Sequence, residues 1–261
     1  MPNLEIKYPK KPSKYSQQEW EARVNLAACY RLTDYYCWTS TVYNHITLRV
    51  PDTDTFLING FGLNYNEICA SNLVLVDLDG NKLSDDDFPI NKAGFIIHSA
   101  IHQARPKDLH CVMHSHEVNS QTLAASKSKL IPLTQEGCQL YERVGYHDFN
   151  GIVLNDEEKE KLINAIGNEK HTLLMRNHGL ITAGPTAAWA FIRHQHFIRN
   201  AEVQLKLMAS NAEMSIISDN VLKHTREQFE GGSAQAGAKV RHPEWPAFWR
   251  LLDSLDEKWK Q

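Results

Sequence analysis

The sequence lacks the long apolar runs and the excess of basic residues that mark two large classes of protein. No stretch of about 18 apolar residues occurs, and residues 1–20 carry no apolar core of the kind that a signal peptide needs. The formal net charge is −3, which gives no sign of the basic surface that binds nucleic-acid phosphates. These absences predict a soluble cytoplasmic protein that binds neither membranes nor nucleic acids.

Paired cysteines are also missing. The five cysteines are scattered, and no C-x-x-C pair occurs, so neither a disulfide framework nor a cysteine-based zinc site is indicated. We expect reduced and mostly buried thiols. Histidine, in contrast, is abundant, because the chain has 13 and five of them fall between His98 and His116.

The chain is long enough, at 261 residues with 42% hydrophobic, to bury one sizeable core. Residues 1–16 form a basic lead-in that contains proline, and residues 17–229 hold the main domain. The segment EGGSAQAGA, residues 230–238, is rich in small residues and predicts a flexible linker. Residues 239–261 are rich in aromatic side chains and predict a C-terminal helix that docks on the domain.

Hydrophobic periodicity predicts an α/β fold. Short strands with tight turns are expected between residues 40 and 83, followed by a strand in LHCVMHSH and a single buried strand in TLLMRNHGLITAG. Apolar residues at helical spacing predict helices over 17–35, 92–104, 155–167 and 185–209. A central sheet whose strands are connected by helices, with a meander at one end, fits this order.

Three histidines form the strongest candidate for a functional site. His114 and His116 are two residues apart on a predicted strand, so their side chains point to the same face. His178 follows a second buried strand, at an end where sheet proteins commonly place their sites. Two strand ends would thus supply three imidazoles with an open coordination position, a pattern typical of catalytic metal sites. Gly179 would allow close backbone approach, and Asn177 could support the ligands.

His98 and His102 lie four residues apart on a predicted helix, so they share a face. They could line the same cavity as the three histidines, or they could form a hydrogen-bonded pair in the core. His194 and His196 lie in the long helix beside arginines, and we interpret them as core or interface residues.

Two separated segments resemble the class II aldolase/adducin family, whose metal ligands sit in an H-x-H motif and in a later H-G element. The resemblance covers roughly residues 20–210, including an upstream region that is similar to the family's substrate loop. It implies a three-layer α/β/α sandwich around a largely antiparallel, nine-stranded sheet, assembled as a tetramer with sites between subunits. It also implies one divalent metal ion per subunit on His114, His116 and His178, with zinc first and iron, manganese or nickel as alternatives. The segments are GFIIHSAIHQARPKDLHCVMHSHEVNSQTLA and LLMRNHGLITAG.

One position departs from the family's aldolases, which carry a glutamate where this chain has Gly94. The loss of that group would remove a general acid/base, which contributes roughly 10²–10⁴ in rate. Substitutes in this chain are His98, His102 and Glu117, although Glu117 would point to the opposite face of a regular strand. Tyr141, with Tyr146 and Gln135 nearby, lies in the region where family members offer a tyrosine to a neighbouring subunit.

The resemblance assigns Asn44, Gly60 and Gly62 to substrate binding. A phosphate site needs unhindered backbone N–H groups, and the bulky Tyr43 and Phe61 would crowd this one. We therefore expect an unphosphorylated small molecule, aromatic or carboxylated.

Three functions remain open on the sequence. The first is a metal-dependent lyase-like enzyme for a small carbonyl or hydroxy-acid substrate. The second is a non-catalytic, adducin-like oligomeric binding module, since the pattern around Gly94 is similar to the adducin head domain, where the glutamate is also missing. The third is an iron oxygenase, because three histidines suit iron as well as zinc.

Overall fold

The computed structural model describes residues 5–151, 156–235, 242 and 244–261. Its centre is a seven-stranded sheet in the order β3-β2-β1-β4-β7-β6-β5. All neighbouring strands are antiparallel except β5 and β6, which are parallel. The strands are β1 (His45–Arg49), β2 (Thr55–Asn59), β3 (Leu73–Asp77), β4 (Cys111–Ser115), β5 (Val144–His147), β6 (Thr172–Met175) and β7 (Gly179–Gly184).

Helices cover both faces of the sheet. They are α1 (Gln17–Tyr35), α2 (Lys92–Ala104), α3 (Val118–Ala125), α4 (Asp156–Ile166), α5 (Ala187–Ser210), α6 (Asp219–Gln235) and α7 (Trp245–Leu255). On one face α2 and α4 pack over a core that includes Ile101, Leu162 and Ile181. On the other face α1, α5 and α7 enclose the larger core. The protein is therefore a three-layer α/β/α sandwich around a largely antiparallel sheet, as the family resemblance implied.

The described residues contain seven strands rather than the nine that the family resemblance implied. The apolar run at residues 130–134 pairs with no strand, because side chains of α5 hold its backbone. The Asn200 amide accepts from the Leu133 N–H at 2.8 Å and donates to the Ile131 carbonyl at 2.8 Å. Gln204 accepts from the Ile131 N–H at 2.8 Å. These amides take the place of a strand partner.

The segment TLLMRNHGLITAG was wrongly predicted as a single strand. It forms the hairpin of β6 and β7, in which Met175 pairs with Gly179 across a three-residue turn. Asn177 adopts a left-handed conformation with φ 54°, which asparagine tolerates better than most residues. The turn places His178 at one end of the sheet, beside the end of β4.

Part of the predicted linker is helical. Residues 230–235 belong to α6, whereas 236–238 lie outside the described residues. Tertiary contacts offset the poor helix propensity of the glycines. The Arg226 guanidinium bonds to the Glu142 carboxylate at 2.6 Å, and Arg143 Nε donates to Glu230 at 3.1 Å. This prediction was therefore wrong for the part that the structure describes.

The C-terminal aromatic segment forms α7, although residues 239–241 and 243 lie outside the described residues. Trp245 and Trp249 are buried, and Trp245 Nε1 donates to Asn25 Oδ1 of α1 at 2.8 Å. In the part of the chain that the structure describes, every helix is too short or too polar to cross a membrane.

Candidate metal centre

The three predicted ligands converge at one end of the sheet. His114 lies in β4, His116 follows the end of that strand, and His178 lies in the turn between β6 and β7. One ring nitrogen from each lies within 4.8 Å of the other two. His114 Nε2 and His116 Nε2 are 2.9 Å apart. His114 is buried and the other two are half-buried, so the cluster opens towards the surface.

Backbone contacts fix which nitrogen His114 offers. Its Nδ1 lies 3.0 Å from the carbonyl oxygen of Leu180, which can only accept, so Nδ1 carries the proton and Nε2 keeps its lone pair. Such an outer hydrogen bond is usual for metal-binding histidines. Burial, followed by the nearby His116, lowers the pKa of His178 to about 4, and burial lowers the pKa of His116. The rings are therefore neutral near pH 7.

Gly179 allows the hairpin turn to approach the H-x-H segment. A Cβ atom on Gly179 would lie 2.5 Å from the Ser115 carbonyl oxygen and 2.9 Å from the His116 ring. Gln121 Nε2 donates to the His178 carbonyl at 3.0 Å and ties the turn to α3. The expectation of a close backbone approach at Gly179 is confirmed.

The donor set fits a divalent metal ion. Zinc binds imidazole nitrogens at about 2.0–2.1 Å, which places two ligands of a tetrahedron about 3.3 Å apart. The shortest separation in the cluster is 2.9 Å and all lie within 4.8 Å, so small side-chain shifts suffice. Three neutral imidazoles with one open side match the ligand pattern of catalytic zinc sites.

His98 and His102 do not reach the cluster. Both are fully buried on α2, and each forms a hydrogen bond with Thr47 Oγ1 at 2.8 Å. His102 Nδ1 lies 3.1 Å from the Leu109 carbonyl oxygen. The alternative of a hydrogen-bonded core pair is thus the better description of these two residues.

Sequence reasoning missed His45, which links the buried pair to the cluster. Its Nδ1 lies 2.9 Å from His98 Nε2, and its ring packs against His114 with centroids 4.9 Å apart. Antiparallel pairing of β1 with β4 places His45 opposite His114. The alternation of His45 and Thr47 on one strand face was the available signal, but the strand pairing that gives it meaning is not local in sequence.

Gly94 lies against this same histidine. A Cβ atom at position 94 would lie 2.3 Å from His45 Cδ2 and 2.4 Å from Nε2. The imidazole therefore occupies the space through which any longer side chain at position 94 would leave the helix. The missing glutamate and the presence of His45 are two aspects of one packing arrangement.

Glu117 is engaged elsewhere. Its carboxylate caps the N-terminus of α3, where Oε1 accepts from the Asn119 N–H at 3.0 Å and Oε2 accepts from the Ser120 N–H at 2.8 Å. Asn119 Nδ2 donates to Oε1 as well, at 2.8 Å. Both oxygens are satisfied by these donors, which indicates a helix cap rather than a proton carrier.

The tyrosines and glutamine of the predicted neighbour region do not contact the cluster in this chain. The Tyr141 ring lies beside Arg226 of α6, with 5.8 Å between the guanidinium carbon and the ring centroid. The Tyr146 hydroxyl accepts from the Leu130 N–H at 2.9 Å. Gln135 precedes a short 3₁₀ turn. A role for Tyr141 in a site would require a second subunit, so it stays a prediction.

The predicted substrate loop shows one unsatisfied donor. Asn44 is 1% exposed, and its Oδ1 accepts from the Ser40 N–H at 2.7 Å, but its buried Nδ2 has no partner among the described residues. A Cβ on Gly60 would meet Phe88 at 2.8 Å, and Gly62 requires a positive φ of 103°. The role of these residues in substrate binding stays a prediction.

His194 and His196 are core residues, as expected. His194 bonds to Ser115 Oγ at 2.6 Å and to Thr182 Oγ1 at 3.0 Å. His196 Nδ1 donates to Gln139 Oε1 at 2.9 Å.

Comparisons with known proteins agree with this architecture. The family model of the class II aldolase and adducin N-terminal domain matches residues 24–205. An aldolase II superfamily protein from Pseudomonas syringae is 37% identical, with a TM-score of 0.85 over 95% of this chain and 98% of that one. An L-fuculose 1-phosphate aldolase from Glaciozyma antarctica is 27% identical, with a TM-score of 0.80 over 96% of this chain and 97% of that one. Rat alpha-adducin is 35% identical over 92% of this chain and 34% of its own length. The chain therefore belongs to the family of class II aldolases and adducin N-terminal domains.

Proposed function

We propose that the protein is a metal-dependent enzyme of the lyase type that acts on a small carbonyl or hydroxy-acid substrate. The observation that carries this proposal is the convergence of three neutral imidazole nitrogens within 4.8 Å at a half-exposed position. A structural protein has no need to hold three such lone pairs together. The likeness to a solved L-fuculose 1-phosphate aldolase supports the lyase class.

His114, His116 and His178 would hold one divalent ion per chain, zinc first. Such an ion supplies Lewis acidity that polarises carbonyl and hydroxyl oxygens. The chain's own residues orient the ligands. The Leu180 carbonyl fixes the His114 tautomer, and Gln121 fixes the turn that carries His178.

The surroundings of the site favour an unphosphorylated substrate. Tyr43 is 61% exposed, and its ring lies 6.4 Å from that of Phe61, centroid to centroid. Phe149 is exposed beside His178, with ring centroids 6.5 Å apart. These aromatic rings offer stacking and apolar contact rather than the open backbone N–H groups that phosphate needs.

We further propose that the protein works as a homotetramer, as the family resemblance implies, and that it is cytoplasmic, as the lack of long apolar runs predicts. In that assembly Tyr141 would act on a neighbouring subunit's cluster, since its described contacts, such as that with Arg226, do not include the cluster of its own chain.

A second candidate is an adducin-like binding module without catalysis. It is favoured by the 35% identity to rat alpha-adducin and by the absence of a carboxylate at position 94. A third candidate is an iron oxygenase, because the same donor set accepts iron.

The test is metal analysis combined with turnover. Purified protein is expected to contain zinc and to release an aldehyde from a member of a panel of ketoses and hydroxy acids, with L-fuculose 1-phosphate included. A chelator should abolish release and added zinc should restore it. His178→Ala is expected to lose both metal and turnover, whereas His224→Ala, at an exposed histidine of α6, should keep both.

Each competing function predicts a different outcome. Bound iron with oxygen-dependent turnover would overturn the lyase assignment in favour of an oxygenase. A folded, metal-free protein that is indifferent to His178→Ala would favour the binding module.

A further inference from the structure

A continuous chain of hydrogen bonds runs through the sheet face beneath α2. It begins at the carbonyl oxygen of Leu109 and passes through His102, Thr47 and His98 to His45. Every link is 2.8–3.1 Å long, and every side chain in it is buried. The chain ends beside the metal centre, because the His45 ring packs on that of His114.

The direction of each hydrogen bond follows from the first one. A carbonyl oxygen can only accept, so His102 Nδ1 carries a proton and donates to Leu109. Burial lowers the pKa of His102 to about 3, so this ring is neutral and its Nε2 has a lone pair. Thr47 has one hydroxyl proton, and it must donate that proton to His102 Nε2.

The same logic continues to the metal centre. Since the Thr47 proton is committed to His102, Thr47 Oγ1 must accept from His98 Nδ1–H. Burial also keeps His98 neutral by lowering its pKa, so its Nε2 accepts from His45 Nδ1–H. His45 Nδ1 thus carries the single proton of this buried, neutral imidazole, which leaves its Nε2 unprotonated. No described residue forms a hydrogen bond to that nitrogen.

We propose that Thr47, His98 and His102 lock His45 in its Nδ1–H tautomer, so that His45 Nε2 accepts a hydrogen bond from the hydroxyl group of a ligand held at the metal centre. The ligand class is a small molecule with a hydroxyl donor next to its metal-binding oxygen, such as a 2-hydroxy acid. This inference rests on the proposed function, because it takes the three histidines as a metal centre. Thr47, His98 and His102 are positioning residues that act through His45.

Gly94 makes room for the His45 ring in this arrangement. The Nε2–Cδ2 edge of His45 lies where a Cβ at position 94 would be, so glycine at this position leaves room for the ring and its free nitrogen. Asn44, whose buried Nδ2 lacks a partner among the described residues, precedes His45 directly in the chain.

The first test reads the tautomer in metal-free protein. Magic-angle-spinning NMR of protein labelled with ¹⁵N-histidine distinguishes a protonated from an unprotonated ring nitrogen, and a His45→Gln spectrum assigns the signal. If the hydrogen bonds hold His45 in one tautomer, its Nδ1 is protonated and its Nε2 is unprotonated in the wild type. Thr47→Ser should preserve this pattern and Thr47→Val should mix the two tautomers. A protonated Nε2 on His45 in the wild type overturns the proposal, whether or not any variant folds.

The second test uses glycolate and methoxyacetate as probes on zinc-loaded protein, measured by calorimetry. Glycolate offers a hydroxyl donor and methoxyacetate does not. One net hydrogen bond corresponds to roughly a 2- to 12-fold difference in affinity, so the preference for glycolate should fall by about five-fold in Thr47→Val and return in Thr47→Ser. An unchanged preference in Thr47→Val overturns the acceptor role. If zinc fails to bind at all, the proposed function is wrong, and the NMR result alone decides whether His45 is held in its Nδ1–H tautomer.

Discussion

The imidazole of His45 and the backbone of Gly94 fit together so closely that position 94 has no room for a side chain. A Cβ there would lie 2.3–2.4 Å from two atoms of the ring. The ring cannot move away freely, because His98 holds its Nδ1 and His114 packs on its face. A histidine from β1 thus occupies the space that a side chain at position 94 would need.

Gly94→Ala tests this packing. We expect it to lower the free energy of unfolding by about 1–3 kcal/mol, the usual result of forcing an extra methyl group into a filled core. Urea denaturation of the metal-free protein measures it. Gly231→Ala, at a helical glycine with open space around it, is the matched control and should be neutral or slightly stabilising. A Gly94→Ala variant as stable as the wild type would contradict the close fit.

Gly179→Ala is expected to weaken metal binding rather than only stability. Its Cβ would meet the Ser115 carbonyl at 2.5 Å and the His116 ring at 2.9 Å, which pushes the hairpin away from the H-x-H segment. Misplaced ligand support typically costs about 10- to 100-fold in metal affinity. Competition with a chromophoric zinc chelator reads the loss, with Gly231→Ala as the unaffected control. Wild-type zinc affinity in Gly179→Ala would count against the arrangement.

Glu117→Ala separates a helix cap from a catalytic group. Loss of the cap on α3 should cost about 1 kcal/mol of stability and leave zinc content unchanged. Glu117→Asp, which can still accept from the same N–H groups, should recover much of that stability. Turnover that vanishes in a folded, zinc-loaded Glu117→Ala variant, beyond its effect on stability, would restore the catalytic role predicted from sequence.

Stability should decline on mild acidification of the metal-free protein. Burial lowers the pKa of His194 to about 3 and that of His196 to about 4, below the ordinary value of 6.5. Above pH 6.5 neither the folded nor the unfolded chain binds these protons. Below it only the unfolded chain does, so the free energy of unfolding falls by up to about 1.4 kcal/mol per pH unit per histidine until the folded pKa is reached.

Urea denaturation between pH 7.5 and 5 measures this slope. His196→Gln keeps a polar partner for Gln139 but cannot be protonated. Its free energy of unfolding should therefore fall less steeply with decreasing pH, by the contribution of one histidine, up to about 1.4 kcal/mol per pH unit. Equal slopes in the two proteins would show that His196 does not resist protonation.

The sequence predicted the elements whose signals are local. Helical spacing placed α1 and α2 at residues 17–35 and 92–104, which are the bounds observed. The positions of His114 and His178 after apolar strands predicted their convergence, and Gly179 marked the close approach. In each case the relevant pattern lies within a few residues of the chain.

The features that sequence reasoning missed depend on distant contacts. His45 gains its place from pairing with His114, 69 positions later in numbering, and no local pattern specifies that register. The helical state of residues 230–235 depends on contacts such as Arg143 with Glu230. The position of Glu117 directly after His116 suggests a proton carrier, but its carboxylate accepts hydrogen bonds from the first N–H groups of α3.

Zinc titration of the metal-free protein, followed by calorimetry, tests whether the three histidines bind a metal ion. We expect one zinc ion per chain in the wild type and in His224→Ala. We also expect a loss of at least about 100-fold in affinity in His178→Ala, since one of three ligands is removed. No saturable binding by the folded wild type, or unchanged binding by folded His178→Ala, would contradict a metal centre built by His114, His116 and His178.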